Sequence, residues 1–331
     1  MIHQLVSAGS VIPFLGAGAS LGKHNPPDAP WKDPDDPNTS QVGTIRYVPN
    51  ANELARYLAE LVTFPLAENE NAGPELPKIA QYCLLAGGGR PNLRSALHTA
   101  FNWDAPIRPI HKYLASRPKD LIIITTNYDD IIERAFREVG RAFDVIIHTT
   151  DSVNGEKLLW IPHGESRREI LANEIPMPKH SVIYKMHGAV DRLAPSEGEQ
   201  DEKRNQRGDF VITEDDYVSF LNRLVRSQAI PSIFGDPFQA RHFLFLGYSL
   251  SDWNFRVVLN QVEEKRLAKE WRKDRNIYSW AIQRDVDPIE EIFWNKRGVD
   301  IYRMNLDDFV AKIWPGGPRP APAADSSNGG S

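Results

Sequence analysis

Leu121–Ile147 reads LIIITTNYDDIIERAFREVGRAFDVII. Leu121–Ile124 is an unbroken apolar run rich in β-branched residues, the pattern of a strand covered on both faces. A polar turn, Thr126-Asn127-Tyr128-Asp129-Asp130, follows at once. Ile131, Ile132, Ala135 and Phe136 then recur as the apolar stripe of a helix from about Asp129 to Val139. Phe143–Ile147 is strand-like again. Strand, loop, helix, strand within one short span is the local signature of an α/β sheet.

The same reading extends outward. Val11–Leu15 is expected as a buried strand, with Pro13 suited to its first half or to an edge. Lys157–Ile161, Val182–Met186, His242–Leu246, Tyr278–Ile282 and Val299–Tyr302 are further strands. Asn50 and Glu53 form a capping-box pattern before a helix carrying Leu54, Tyr57, Leu58 and Leu61, which ends before Pro65. Pro77 starts another, with Ile79, Ala80, Cys83 and Leu84 inward, and Gly87-Gly88-Gly89 ends it as a flexible turn. Thr213 and Asp216 predict a cap for a helix through about Val225. Ser251 or Asp252 caps a helix with Phe255, Val258, Leu259 and Val262, and a last helix lies near Pro288–Trp294. Gly22–Asn50 and Asp191–Asp209 read as long loops, the first anchored by Trp31 and Tyr47. The fold class expected is α/β: a Rossmann-like parallel sheet flanked by helices, with helical and loop insertions. One domain is expected over residues 1–314, with a helical insertion at about 50–118 and a disordered Pro/Gly/Ser-rich tail over 315–331.

Bulk composition narrows the function classes. Apolar residues at 41% and charged residues at 25% fit a folded, water-soluble chain. A formal net charge of −5 argues against general coating of nucleic acid, while leaving a local basic patch open. Cys83 is the sole cysteine, so an internal disulfide and a four-cysteine zinc site are both excluded within one chain. The opening residues lack a basic leader, and no apolar stretch approaches the roughly 20 residues of a membrane span. A cytoplasmic location is the expectation.

Chemistry-bearing residues cluster after the strands. Gly16-Ala17-Gly18-Ala19-Ser20 follows the first strand, where backbone N–H groups can approach a pyrophosphate and Ser20 offers a hydroxyl. A tight strand-to-helix turn explains the glycines equally well. The spacing fits neither a G-x-G-x-x-G fingerprint, since Leu21 stands at the third position after Gly18, nor a G-K-Ser/Thr phosphate loop, since His24 follows Gly22-Lys23. Asn127 carries a donor and an acceptor that can orient a water or a ribose hydroxyl. Asp129 can accept from a carboxamide or stabilise positive charge at a sugar carbon; both residues can also simply cap the following helix. Tyr128 reads as packing. His187, followed by Gly188, can act as a proton acceptor or be a structural histidine. Gly247-Tyr248-Ser249 closes another strand, where Gly247 permits close approach, Ser249 can bond a ribose or phosphate oxygen, and Asp252 serves as cap or ribose ligand. The other histidines show no close metal-ligand spacing, so no metal is expected.

In order and combination these segments resemble the sirtuin (SIR2-like) superfamily, over about residues 8–302. Gly16–Ser20 is similar to its first NAD loop, Asn127 and Asp129 to its Asn-x-Asp element, and His187-Gly188 to its catalytic histidine element. Gly247-Tyr248-Ser249-Leu250 with Asp252 resembles the late nucleotide motif of the bacterial antiphage-defence branch. The resemblance implies NAD+ as a substrate. It implies that Gly16, Ala17, Gly18 and Ser20 line its phosphates and nearby ribose, that Asn127 positions ribose or the attacking water, and that Asp129 holds the nicotinamide carboxamide. His187 is then the general base, and Gly247, Ser249 and Asp252 contact the adenosine half.

The chain departs from the deacylases of that family. Their four-cysteine zinc module cannot form, and their Gly-Ile-Pro-Asp-Phe-Arg element is replaced by Pro26–Trp31, whose Ala29-Pro30-Trp31 resembles the defence branch. The function expected is NAD+ glycohydrolase activity releasing nicotinamide and ADP-ribose, as an antiphage effector that depletes NAD+, with cyclic ADP-ribose as another possible product. The competing readings are an NAD-dependent protein deacylase and a non-catalytic NAD or ADP-ribose sensor. The resemblance also implies a homo-oligomer, or regulation by an ATPase, helicase-like or Argonaute-like partner.

Overall fold

The computed structural model describes residues 1–21, 31, 47–64, 75–149, 157–190, 210–225, 230–248 and 278–317. Among these residues nine strands form one sheet: β1 (Val11–Leu15), β2 (Ile122–Thr125), β3 (Phe143–His148), β4 (Lys157–Ile161), β5 (Arg168–Leu171), β6 (Ser181–Lys185), β7 (His242–Leu246), β8 (Ser279–Gln283) and β9 (Val299–Arg303). Their order is β5-β4-β3-β6-β2-β1-β7-β8-β9. Every pairing from β3 to β9 is parallel, whereas β4 and β5 add antiparallel to the β3 edge. The sheet is thus mixed rather than wholly parallel, but its core is the parallel α/β sheet expected.

Alternation along the strands sorts their side chains into two cores, one on each face. Ile12, Phe14, Ile122, Ile124, Tyr184, Phe243 and Phe245 point to one face and pack with Phe220 and Leu224 of α7 (Glu214–Val225), with Phe238 of α8 (Gly235–Ala240) and with Trp294 of α9 (Pro288–Asn295). Val11, Leu15, Ile123, Ile183, Leu244 and Leu246 point to the other. There they meet α1 (Ile2–Ser7), α5 (Pro109–Ala115), α6 (Ile131–Glu138) and α10 (Leu306–Ile313). Each such Val, Leu, Ile or Phe taken from water contributes about 1.5–3 kcal/mol before entropy is charged.

Pro13 does not sit on an edge, because β1 lies between β2 and β7. The strand tolerates it because the β1–β2 register covers only Phe14 and Leu15, so the missing N–H falls before that ladder. α2 (Ala51–Leu61) opens with the predicted capping box: Glu53 N–H donates to Asn50 Oδ1 at 2.9 Å and Asn50 N–H to Glu53 Oε2 at 2.7 Å. With α3 (Leu76–Ala86) and α4 (Gly89–Phe101) it forms a third core, which includes Tyr128, Ile131, Val190 and Phe210 beyond the carboxyl ends of the central strands. Trp31 packs edge-on against Tyr57 at 5.1 Å and donates to the Tyr47 carbonyl at 2.9 Å. The expected helix after Ser251, the loop over 191–209 and most of the tail lie outside the described residues.

Candidate active site

All four polar segments leave the carboxyl ends of adjacent strands, β6, β2, β1 and β7. From β1 the chain builds outward to β2 on one side and later to β7 on the other. That reversal is where open α/β sheets form a ligand crevice.

The β1 and β7 loops interlock. Gly16 N–H donates to the Leu246 carbonyl at 3.1 Å, and Gly18 N–H to the Gly247 carbonyl at 2.9 Å. Gly247 has φ +62°, and a Cβ there would stand 2.3 Å from the Ala19 nitrogen. A Cβ on Gly16 would stand 2.6 Å from the Gly247 oxygen. These glycines are therefore required by loop-to-loop packing. Ala19 and Ser20 N–H groups also donate within the loop, to Gly16 and Ala17 carbonyls. Ala17 is its exposed member.

Asn127 joins this unit to β2. Its Nδ2 donates to the Gly16 carbonyl and to Ser20 Oγ, each at 3.0 Å, while its N–H donates to Thr125 Oγ1 at 3.0 Å. The Thr125 hydroxyl in turn donates to the Leu15 carbonyl at 3.0 Å. With both amide hydrogens committed, Oδ1 is the group Asn127 has left to offer a ligand. Asn127 thus does not cap α6. Asp129 comes closer to that simpler role: its Oδ1 accepts from Ile131 N–H at 3.1 Å, and it also bonds the Ser20 hydroxyl. Burial pushes the Asp129 carboxyl above its usual range, against the pull of Lys185, the Ile131 N–H and Ser20. Tyr128 is packing, as expected; its ring lies edge-on to Phe101 and Phe210, and its hydroxyl donates to the Val211 carbonyl at 2.8 Å.

His187 lies beyond the end of β6 and is buried. Its carbonyl accepts from Val211 N–H at 3.0 Å, and Gly188, at φ +85°, bridges to Phe210. Tyr217 and Phe220 of α7 meet its ring edge-to-face at 5.6 and 5.4 Å. Thr213 and Asp216 cap α7 as predicted, and Arg90 of α4 grips Asp216 through two bonds of 2.8 and 2.6 Å. Burial raises the Asp216 carboxyl, but Arg90 and the Thr213 N–H outweigh it and hold the group below its ordinary value.

A buried charged group beneath these loops was not legible as a site. Lys185 Nζ pairs with Glu133 Oε1 at 3.0 Å and donates to the Asp129 carbonyl. Burial raises the Glu133 carboxyl, opposed by Lys185. Nearby, burial together with Arg108, Arg134 and Lys185 pushes the His111 imidazole down to about 3. The signal was present only as a lysine ending an otherwise apolar strand.

Ser249, Leu250 and Asp252, like Pro26–Pro30, lie outside the described residues. Among the described residues, no group of three His, Cys, Asp or Glu side chains is arranged to hold a metal ion, and no helix is long and apolar enough to cross a membrane.

The profile of the SIR2-like domain matches residues 121–302, more than half of the 331 residues. That stretch contains the Asn127, Asp129, His187 and Gly247 segments. The chain is 29% identical to defense-associated sirtuin 2 of Bacillus subtilis over 208 residues, 61% of this chain and 16% of that protein. It is 27% identical to NAD(+) hydrolase ThsA of Bacillus cereus (strain MSX-D12) over 206 residues, 62% of this chain and 35% of the relative. A second ThsA, from Cytobacillus dafuensis, is 25% identical over 189 residues, 57% of this chain and 30% of the relative. The chain thus spans between 16% and 35% of the length of these curated relatives.

Proposed function

The chain belongs to the SIR2-like family, and from that premise we propose that it hydrolyses NAD+ at the nicotinamide–ribose bond. The observation that carries this reading is that Ser20 bonds both Asn127 and Asp129 at the carboxyl ends of β1 and β2, while His187 follows the neighbouring strand β6. The names of the ThsA relatives add support.

In this reaction the C1′–N bond breaks and its electron pair returns to the pyridine ring, releasing neutral nicotinamide. A water oxygen bonds C1′ of the oxocarbenium-like sugar, and one proton is lost, giving ADP-ribose. Asn127 Oδ1 orients the water or a ribose hydroxyl, held in place by the Gly16 and Ser20 bonds. His187 takes the proton as general base. Asp129 receives the nicotinamide carboxamide. The dinucleotide phosphates meet the β1 loop at exposed Ala17, with Gly16, Gly18 and Ser20 behind it, while Gly247, Ser249 and Asp252 serve the adenosine half. No metal takes part.

The name of one relative, defense-associated sirtuin 2, fits an effector that drains NAD+ in the cytoplasm, with activity gated by self-assembly or by an ATPase, helicase-like or Argonaute-like partner. Purified protein should convert NAD+ to nicotinamide and ADP-ribose in equal amounts. Asn127→Ala and His187→Ala should stay folded and lose most turnover; folded variants with full turnover would overturn both roles. A cyclic product would replace water with adenine as the attacking group.

A further inference from the structure

We propose that the buried Lys185–Glu133 pair is a positioning device that latches the loop bearing Asn127 and Asp129 to the strand leading to His187. Lys185 is 1% exposed and Glu133 6%, so neither is a solvated surface charge. The ammonium makes two contacts on one segment: the Asp129 carbonyl in the loop and the Glu133 carboxylate in the first turn of α6. In the sheet register Lys185 stands beside Thr125, whose hydroxyl accepts from Asn127 N–H. One side chain thereby fixes the loop's far end, while Thr125, Gly16 and Ser20 fix Asn127 itself.

The pair is a costly way to obtain stability alone. Taking two charges out of water offsets much of their attraction, and an apolar or neutral replacement of both partners is often no less stable. Directional value is a better account. A carbonyl acceptor and a carboxylate four residues apart are satisfied by one ammonium in only one placement of the loop. His111, kept neutral beside the pair, adds no competing cation.

This inference deepens the hydrolase reading and rests on it for its kinetic arm, while a second arm does not. The test compares the full chain with Lys185→Met/Glu133→Gln, which removes both charges at nearly constant shape. The expected result is an unfolding midpoint near that of the unmodified protein, kcat for NAD+ lower by on the order of tenfold or more, and a smaller change in KM. Hydrogen exchange of the backbone amides of residues 126–131 should also quicken. Unchanged kcat, or unchanged exchange in that loop, overturns the latch. If the unmodified chain does not cleave NAD+, the hydrolase reading fails, and loop exchange alone decides the positioning role. Should the double variant not fold, Lys185→Met, which removes the ammonium and leaves the buried Glu133 carboxyl to take up a proton, is measured against the same expectations.

Discussion

At Asn127, where a buried strand ends, three hydrogen bonds act: two hold the side chain and one the backbone N–H. Asn127→Ala deletes two of them and should cost about 1–2 kcal/mol of stability, seen in denaturant unfolding. Its effect on NAD+ turnover should be larger, on the order of 100-fold in kcat, because Oδ1 is lost where charge and water must be oriented. Equal, small losses in both measurements would reduce Asn127 to a structural tie. The charge state of His111 makes a separate prediction. Its pKa is about 3 when folded, against 6.5 in the open chain. Between these values the unfolded chain binds the extra proton, so the stabilisation is complete above about pH 6.5 and is lost as pH falls toward 3. At about pH 5 this histidine alone should remove about 2 kcal/mol, and His148, also held near 3 by burial, Arg223 and His187, should add to it. Replacing His111 with Leu should shrink the stability lost between about pH 7 and pH 5, and an undiminished loss would contradict a neutral buried imidazole. Asn127 and His187 were readable as candidates because polar residues after apolar strands are conspicuous. Lys185 and Glu133 were not: a lysine at a strand end and a glutamate in an amphipathic helix read as solvated charges until the sheet and α6 are brought together.

At the scale of elements, the β1 and β7 loops behave as one unit. Gly247→Ala would force a Cβ to 2.3 Å from the Ala19 backbone in a left-handed conformation, so the two loops must part. A loss of about 3 kcal/mol or more is expected, with turnover lost too. Gly298 has a similar φ of +73° but nothing within 4 Å of its Cβ position, so Gly298→Ala should cost only about 1–2 kcal/mol and leave turnover intact. Matching thermal shifts in the two variants would refute the interlocked-loop account. Val11–Leu15, Lys157–Ile161 and His242–Leu246 are strands over the spans expected, whereas the apolar run Leu121–Ile124 gives a strand displaced by one residue, Ile122–Thr125. α4 was missed because its Gly88 and Gly89, both at positive φ, read as a loop although they launch a helix. α5 and α10 are short and draw their stability from packing on α6 and β8, which no local periodicity displays. β5 was missed because it is a half-exposed edge strand, with no buried face to impose a pattern.

For the whole molecule, the parallel sheet was legible because its strands carry both cores, whereas the antiparallel direction of β4 and the strand β5 were not. The adjacent strands β6, β2, β1 and β7 place four loops on one rim, the rim proposed for NAD+ chemistry. Turnover should survive prior treatment with a strong chelator, and loss of activity restored by added metal would contradict the metal-free reaction. Light scattering of the purified chain should find an oligomer, and a monomer at all concentrations would redirect regulation to a separate partner. The most direct measurement is mass spectrometry of NAD+ over time with the unmodified chain, Asn127→Ala and His187→Ala, each verified as folded. Nicotinamide and ADP-ribose should rise together with the unmodified chain and nearly vanish with either variant. Undiminished product from the folded variants, or intact NAD+ with the unmodified chain in every assembly state, would contradict the proposed hydrolysis.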